Sequence, residues 1–595
     1  VALSASELAL LLIAGGGIGL LISNQLRADL VAMLVLLALG LGGLLTPDQA
    51  LAGFSNRAVL TIVGLFVITA ALEQTGVVQW IADRLAQLSG TSEARMAGVF
   101  MGAGALLSLL MNNIAAGAVL LPAAVSVARQ ARVPPSKLLM PLSFGTLVGG
   151  MATLFTTANL IISGTLQAQG QRGLTLLDFL LSGGPMVLVG VGYMLLVGRR
   201  LLPNRESVGR TALATPDLAD TYQLAERLWE VRVHPTSPLV GCRLNETVIG
   251  AQLGATVVAI WHGGEARMAP GPSAVIASDD ILLVLGREER VRQLEAQRTT
   301  IGRNGRYRET QRALPVLLSE VVIGPRAPAI GQTIKALRFR ATYGLTAVAL
   351  WRAGRSYRTD VGSFVLQAGD AILMVGPPER SRQLAAEPGY IVLGEPAQAP
   401  APSRKALWAV GITALVLFLA AAGWVSTAEA MLAGAVALVL TGCITVDAAY
   451  RAIEWRVAVL IAGMLPLGTA LVATGLAQRI GQGLTALLAT TGPLALVAGL
   501  YLFAALLTQL VGGQVTALIV GPIAVSAAIQ TGVNPVAVGV AVSMACSAAF
   551  LTPIAHPVNV LMMAPGGYTT GDFLRVGSGM TVVCFLTLLV VMPLL

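Results

Sequence analysis

Charged side chains are scarce in this chain of 595 residues, and the gaps between them are long. Asp, Glu, Lys and Arg make up 12% of it, against 55% hydrophobic residues. That balance excludes an ordinary water-soluble globule and fits a chain that spans a bilayer. None of the four occurs in 96–128, in 138–171 or from Ile480 to Gly571. Cysteine is sparse as well. Cys242, Cys443, Cys546 and Cys584 show no CxxC or other ligand spacing, so neither a disulfide framework nor a zinc module is expected. No Gly-x-Gly-x-x-Gly fingerprint occurs, hence no Rossmann half and no organic cofactor. No motif points to an enzyme. The net charge of +9 is not a basic surface, because 27 of 39 Lys and Arg lie between Arg199 and Lys405. Nucleic acid is therefore not an implied partner.

Apolar length is what the chain has. A membrane helix needs about 17–25 apolar residues. Segments near 7–23, 28–45, 58–76 and 177–198 qualify, as do 406–422, 429–446, 456–475 and 573–595. Leu8 to Ile22 lacks an Ala-x-Ala-like end and reads as a membrane helix, not a signal peptide. Two hairpins with polar tips are expected at 94–128 and 493–529, and two apolar segments with polar breaks at 138–163 and 535–563. Short arms make the hairpins re-entrant, which is tolerated at depth only under protein or beside a wet cavity.

Five crossings per half then place Arg27, Arg84, Arg95, Arg129, Arg132, Lys137, Arg199 and Arg200 on one side. Arg57 and Arg172 fall on the other. The excess marks the first side as cytoplasmic and the N-terminus as external. In the last third Arg404, Lys405, Arg451, Arg456 and Arg575 face the cytoplasm and Arg479 the exterior. The C-terminus is then external too. The expected location is the inner (plasma) membrane of a bacterial-type cell.

The chain repeats itself. Leu106 to Ile162 aligns with Leu506 to Met562 at an offset of 400 without a gap, with 13 identities that include Pro122/Pro522, Pro135/Pro535, Ser143/Ser543 and Asn159/Asn559. Thr46-Pro-Asp48 meets Thr445-Val-Asp447, and Asp178-Phe-Leu180 echoes Asp572-Phe-Leu574. Equal crossing numbers that start on opposite sides make the halves inverted repeats, with a site between them. The polar middle holds a second repeat, offset by 90. Gly254-Ala-Thr-Val-Val-Ala-Ile-Trp261 meets Gly344-Leu-Thr-Ala-Val-Ala-Leu-Trp351, and Asp280 to Gly286 meets Asp370 to Gly376. Each copy reads as short strands followed by a short helix, Glu289 to Leu294 or Glu379 to Leu384. Trp261 and Trp351 read as core or interface residues.

The region between the halves lacks charge, so an anion there would have to be held by helix N-termini, backbone N–H groups and Asn, Thr or Ser side chains. A bound cation would supply positive charge, with Asn, Thr and backbone oxygens as Na⁺ ligands. Proton coupling needs a titratable group at depth, and His556 is the candidate.

Two resemblances follow from these residues. The Pro-x-x-Gly, Gly-x-x-Val-x-Ala and Asp-x-Ile-Leu patterns over 228–298 and 316–388 resemble TrkA C-terminal (RCK-C) domains, which implies paired cytoplasmic modules and a small regulatory ligand. Gly149-Gly-Met-Ala-Thr-Leu-Phe-Thr-Thr-Ala-Asn159 and Thr552-Pro-Ile-Ala-His-Pro-Val-Asn559 resemble the broken-helix motifs of the divalent anion:sodium symporter family, within the ion transporter superfamily. That likeness covers about 5–200 and 404–595. It implies Na⁺-coupled uptake of a divalent anion by a homodimeric elevator, and the fused modules place sulfate ahead of dicarboxylate. It also implies substrate contacts from Asn112, Asn113, Thr157, Gly512, Gly513, Gln514, Thr516 and His556. Na⁺ contacts would come from Asn112, Thr153, Thr156, Asn159, Thr552, Pro553 and Asn559. The tips depart from the family's Ser-Asn-Thr, reading Met111-Asn112-Asn113 and Gly512-Gly513-Gln514.

The expected fold is a polytopic α-helical membrane protein of two inverted repeats, with two small inserted α+β cytoplasmic domains. Its parts are membrane repeat 1 (1–203), a linker (204–222), module 1 (223–300), module 2 (301–394), a linker (395–404) and membrane repeat 2 (405–595). A cation/proton antiporter of the same superfamily and an RCK-regulated channel stand as alternatives. The antiporter needs a buried carboxylate, which the broken segments lack. The channel needs a Thr-Val-Gly-Tyr-Gly-like filter, which is missing.

Overall fold

The computed structural model describes residues 4–594 apart from 24, 89, 91, 205–226, 263–264, 269, 303–317, 326, 353–354, 358–360, 386, 388, 394–402 and 489–491. Both expected linkers, 204–222 and 395–404, fall almost wholly outside the described residues.

Shorter helical turns aside, the first third forms α1 (Ala5–Ser23), α2 (Ala28–Leu41), α3 (Arg57–Gln74), α4 (Val77–Leu88), α5 (Glu93–Ser108), α6 (Asn113–Gln130), α7 (Leu139–Met151), α8 (Thr157–Ala168) and α9 (Leu176–Tyr193). The last third forms α10 (Ala406–Ala422), α11 (Thr427–Leu440), α12 (Trp455–Ala473), α13 (Leu476–Leu488), α14 (Pro493–Val511), α15 (Gly513–Thr531), α16 (Pro535–Ser547), α17 (Pro557–Gly566) and α18 (Thr570–Val591). The two series match helix for helix. Among the described residues, six helices are long and apolar enough to cross a membrane. The repeated Asp-Phe-Leu has a local cause. Thr175 and Thr569 begin α9 and α18, and Asp178 and Asp572 close the capping boxes.

Helices of the two series pack crosswise. α2 lies on α12 and α11 on α3, while α8 lies on α15 and α17 on α6; α9 and α18 pack together. Within each series the first hairpin arm lies along the first half of the broken segment, α5 on α7 and α14 on α16.

Two features differ from the sequence reading. α4 and α13 follow the third helix of each series where a direct run into the hairpin was expected. Both are amphipathic, with polar residues such as Gln79 and Asp83, or Gln478 and Gln482, four apart on one face, so a search for apolar runs passes over them. The hairpin arms are 16, 18, 19 and 19 residues long. The second pair is long enough to cross, so arm length alone does not mark it as re-entrant.

The middle third folds into two five-stranded antiparallel sheets, with short helical turns against them. The first runs β3-β2-β4-β1-β5, built from β1 (Leu228–Val233), β2 (Thr256–His262), β3 (Glu265–Met268), β4 (Ile281–Leu285) and β5 (Thr299–Gly302). The second runs β10-β6-β9-β7-β8, from β6 (Leu318–Ile323), β7 (Thr346–Arg352), β8 (Arg355–Tyr357), β9 (Ala371–Val375) and β10 (Tyr390–Leu393). Read from β5 and β10, the orders are the same. Even the register irregularity repeats, between Val257 and Ala259 and between Ala347 and Ala349. The central strands are apolar on both faces because both are covered. In β4, Leu282 and Val284 face the sheet's own core, whereas Leu283 and Leu285 face a layer shared with Val348, Leu373 and Val375 of the second sheet. Trp261 and Trp351 belong to that shared layer.

Candidate functional site

The two breaks are built alike. Asn159 is fully buried, and its Nδ2 donates to the carbonyls of Gly150 (3.1 Å) and Thr153 (2.6 Å), which the interruption between α7 and α8 leaves without helical partners. Asn559 does the same between α16 and α17, donating to Ala549 O (2.7 Å) and Thr552 O (3.3 Å). Thr153 Oγ1 ties the first break to the hairpin through Leu109 O (3.0 Å), and Thr552 Oγ1 ties the second through Gln509 O (3.1 Å). Buried backbone groups must find partners, and these side chains provide them.

The oxygens of the paired asparagines differ. Asn559 Oδ1 accepts from Ser143 Oγ at 2.6 Å, across the halves. Its counterpart Asn159 Oδ1, and Ser543 Oγ, are buried with no hydrogen-bond partner among the described residues.

The tips also differ, for a physical reason. At the first, four residues separate α5 from α6. Asn112 Oδ1 caps α6 by accepting from Ala115 N–H (2.8 Å), and Asn113 Oδ1 accepts from Ser108 Oγ (2.7 Å). At the second, Gly512 alone separates α14 from α15, with φ +81° and ψ 160°, a region open only to glycine. A Cβ on Gly513 would stand 2.0 Å from the carbonyl oxygen of Cys546. Gly513 admits no side chain because its backbone lies against the end of α16, and Gln514 is the first side chain the second tip offers.

Tips and breaks enclose one cavity of about 340 Å³. Of the sequence-predicted residues, Asn112, Asn113, Thr156, Thr157, Gly512, Gly513, Gln514 and His556 line it. Thr153, Asn159, Thr516, Thr552, Pro553 and Asn559 are not in its wall. Thr516 Oγ1 donates to Gly512 O within its own helix (2.9 Å), Thr153, Asn159, Thr552 and Asn559 hold the breaks, and Pro553 opens the short turn Pro553–Ala555 before α17. The N-termini of α6, α8, α15 and α17 all reach the cavity through Asn112–Ile114, Thr156–Ala158, Gly512–Val515 and His556–Pro557. No Lys or Arg lines it. Helix N-termini carry about half a positive charge each and unpaired N–H groups, so the cavity favours an anion without any basic side chain. His556 Nδ1 accepts from Val558 N–H at 3.2 Å, which leaves Nε2 as the N–H of the neutral ring.

Three contributors escape the sequence reading. Glu454, the residue before α12, lines the cavity, so the wall is not wholly uncharged. It is the N-cap residue of α12 and stands between Arg451 and Arg456 in what reads as a basic loop, so no sequence signal marks it. Ser547 lines the wall at the end of α16. Gln509 bridges α14, the first arm of the second hairpin, to the neighbouring break, donating to Ala548 O (2.7 Å) and accepting from Leu551 N–H (3.1 Å). Its repeat counterpart is Leu109, so matching the two halves gives no hint of it.

The family described as CitMHS, citrate transporter, matches residues 18–535. The chain belongs to this family. It is thus a multi-pass membrane transporter of the citrate transporter family, a group of transporters and not of enzymes. It is 33% identical over 570 residues to the Uncharacterized transporter sll0640 of Synechocystis, covering 94% of this chain and 92% of that one. Over 590 residues it is 31% identical to the Uncharacterized transporter YfbS of Escherichia coli, covering 96% of each. The Probable sodium/sulfate cotransporter 3 of Chlamydomonas reinhardtii shares 26% identity over 370 residues, which is 57% of this chain and 39% of that protein.

Proposed function

We propose that this transporter couples Na⁺ entry to uptake of a small divalent anion, with sulfate first and dicarboxylate second. The observation that carries the reading is the convergence of four helix N-termini on a cavity whose wall holds no Lys or Arg. The sodium/sulfate relative supports the choice of ion and anion; the citrate of the family description favours a carboxylate as the next candidate. The anion would meet the N–H groups at the starts of α6, α8, α15 and α17, with Asn112, Thr157, Gln514 and His556 as side-chain donors. Na⁺ suits the oxygens behind the first tip. Asn159 Oδ1, at the first break, is a buried oxygen without a donor among the described residues, and hard cations take such ligands.

The wider architecture is part of the same proposal. The crosswise packing supports inverted repeats at 1–203 and 405–595, with α5–α6 and α14–α15 as re-entrant hairpins whose tips stop at the cavity. Hairpins and broken helices would move together as an elevator. Modules 223–300 and 301–394 would be cytoplasmic and regulatory, as their likeness to RCK-C domains suggests.

Uptake of radiolabelled sulfate and succinate into proteoliposomes tests the reading. An inward Na⁺ gradient is expected to drive accumulation of sulfate above that of succinate, and uptake of neither, with or without Na⁺, would overturn it. Glu454 favours one competitor, a cation/proton antiporter, since it puts a carboxylate in the cavity wall. Under our reading its charge opposes the anion, and Glu454→Gln should lower the KM for sulfate about fivefold, the equivalent of about 1 kcal/mol of screened repulsion. Under antiport the same variant abolishes Na⁺/H⁺ exchange, read by a trapped pH dye.

A further inference from the structure

A second cavity, of about 280 Å³, lies between the two β-sheets. Arg227, Arg287 and Arg290 of the first sheet unit and Arg340 of the second line it, and no Asp or Glu does. Glu288, next to Arg287 in sequence, is engaged elsewhere, pairing with Arg292 at 2.8 Å. Arg340 crosses between the units. Its Nη2 donates to Val257 O (3.2 Å), while Nε donates to Thr346 Oγ1 (2.9 Å). Both acceptors are neutral, so the half-buried guanidinium has no anion among these partners. Burial accordingly pushes Arg340 down from its ordinary value. Arg290 Nη1 reaches Leu253 O only at 3.4 Å. The rest of the wall is largely apolar, with Leu244, Leu285 and Val361 among it. Arg287, Arg290 and Arg340 around an apolar floor suit an organic anion, since guanidinium forks match phosphate oxygens in pairs.

We propose that this cleft binds a small organic phosphate, clamped between the two sheet units by Arg287, Arg290 and Arg340. The second unit carries the consequence onward. β10 packs against α6, β6 against α17, and a Cβ on Gly369 would lie 2.6 Å from Val560 O of α17. These are two of the four helices whose N-termini reach the candidate anion site, so occupancy of the cleft is placed to bias that site. This last step rests on the transport reading; the binding itself does not.

The test is calorimetric titration of the full-length protein in detergent with AMP, glucose 6-phosphate and inorganic pyrophosphate, with adenosine as the uncharged control. At least one organic phosphate should bind, and adenosine should not. Arg287→Gln combined with Arg290→Gln should weaken that binding about 100-fold, the loss of two charge-assisted contacts. Arg287 is exposed and Arg290 is half-buried with only its long hydrogen bond to Leu253 O among the described residues, so the variant should keep the thermal midpoint of the parent. Arg340→Lys, which keeps the charge but not the fork, should weaken it about tenfold. Binding that persists in the Gly513→Ala variant excludes the membrane cavity as its source. Three outcomes overturn the proposal. They are no binding by any phosphate, binding unchanged in Arg287→Gln/Arg290→Gln, and pyrophosphate alone binding with the organic phosphates inert.

Discussion

Gly513→Ala is expected to reduce sulfate uptake about 100-fold in a protein that still inserts and purifies. The added methyl would sit 2.0 Å from the Cys546 carbonyl oxygen and 3.0 Å from its carbon. Both are backbone atoms, so no side chain can swing aside. The tip must retreat from the end of α16 by about 1 Å, and a displacement of that size at a positioned site costs on the order of 100-fold in rate. The neighbouring Gly512→Ala fails differently. Its nearest obstacle is Ala555 O at 3.6 Å, so space is available, but φ +81° with ψ 160° imposes about 1–3 kcal/mol of strain on any side chain. Gly512→Ala should therefore lower the thermal midpoint with a smaller loss of uptake. Measuring rate and midpoint for both variants separates the two causes. Equal, near-normal uptake by Gly513→Ala would contradict the tight seat of the second tip.

Removing the asparagines of the breaks gives the second large effect. Asn159→Ala strands the carbonyls of Gly150 and Thr153, and Asn559→Ala strands those of Ala549 and Thr552 and also Ser143 Oγ. A buried polar group without its partner costs about 1–3 kcal/mol. Each single variant should lose at least about tenfold in uptake, and the double variant should be inactive. The Na⁺ dependence should differ between them. Only Asn159 has an Oδ1 without a protein donor, so Asn159→Ala should raise the half-saturating Na⁺ concentration while Asn559→Ala leaves it unchanged. A Na⁺ titration of sulfate uptake decides this, and identical curves for the two would remove Asn159 as a ligand.

Much of the site could be read from residues because its elements announce themselves by exclusion. A stretch without charge, interrupted by Asn112-Asn113 or by Thr156-Thr157, has few physical solutions other than a helix that stops and starts again. The repeat at 400 then located the second copy of each piece. The depth of each residue could not be read in this way. Asn159 and Asn559 are the most conspicuous matches between the halves, yet they stand behind the wall, because closing freed carbonyls needs the same amide that binding a substrate would. Glu454 was illegible for the opposite reason. It sits beside Arg451 and Arg456 in what reads as a loop, and only tertiary packing of α12 against α2 and α3 brings it to the cavity. Gly512-Gly513 reads in the sequence as a departure from Ser-Asn-Thr, whereas the structure shows a gain of contact, since the absent side chain at Gly513 lets backbone meet backbone.

The claim that tips and breaks frame the binding site has a direct test. Ile554 lines the cavity and is 73% exposed, so a thiol placed there is within reach of a polar reagent. Ile554→Cys is introduced into a protein whose four native cysteines are replaced, and its rate of reaction with a charged methanethiosulfonate is followed. If the anion and Na⁺ occupy this cavity, sulfate together with Na⁺ slows the reaction several-fold, and neither alone does so fully. A labelling rate that stays the same with both present, in a protein that transports sulfate, would place the binding site elsewhere.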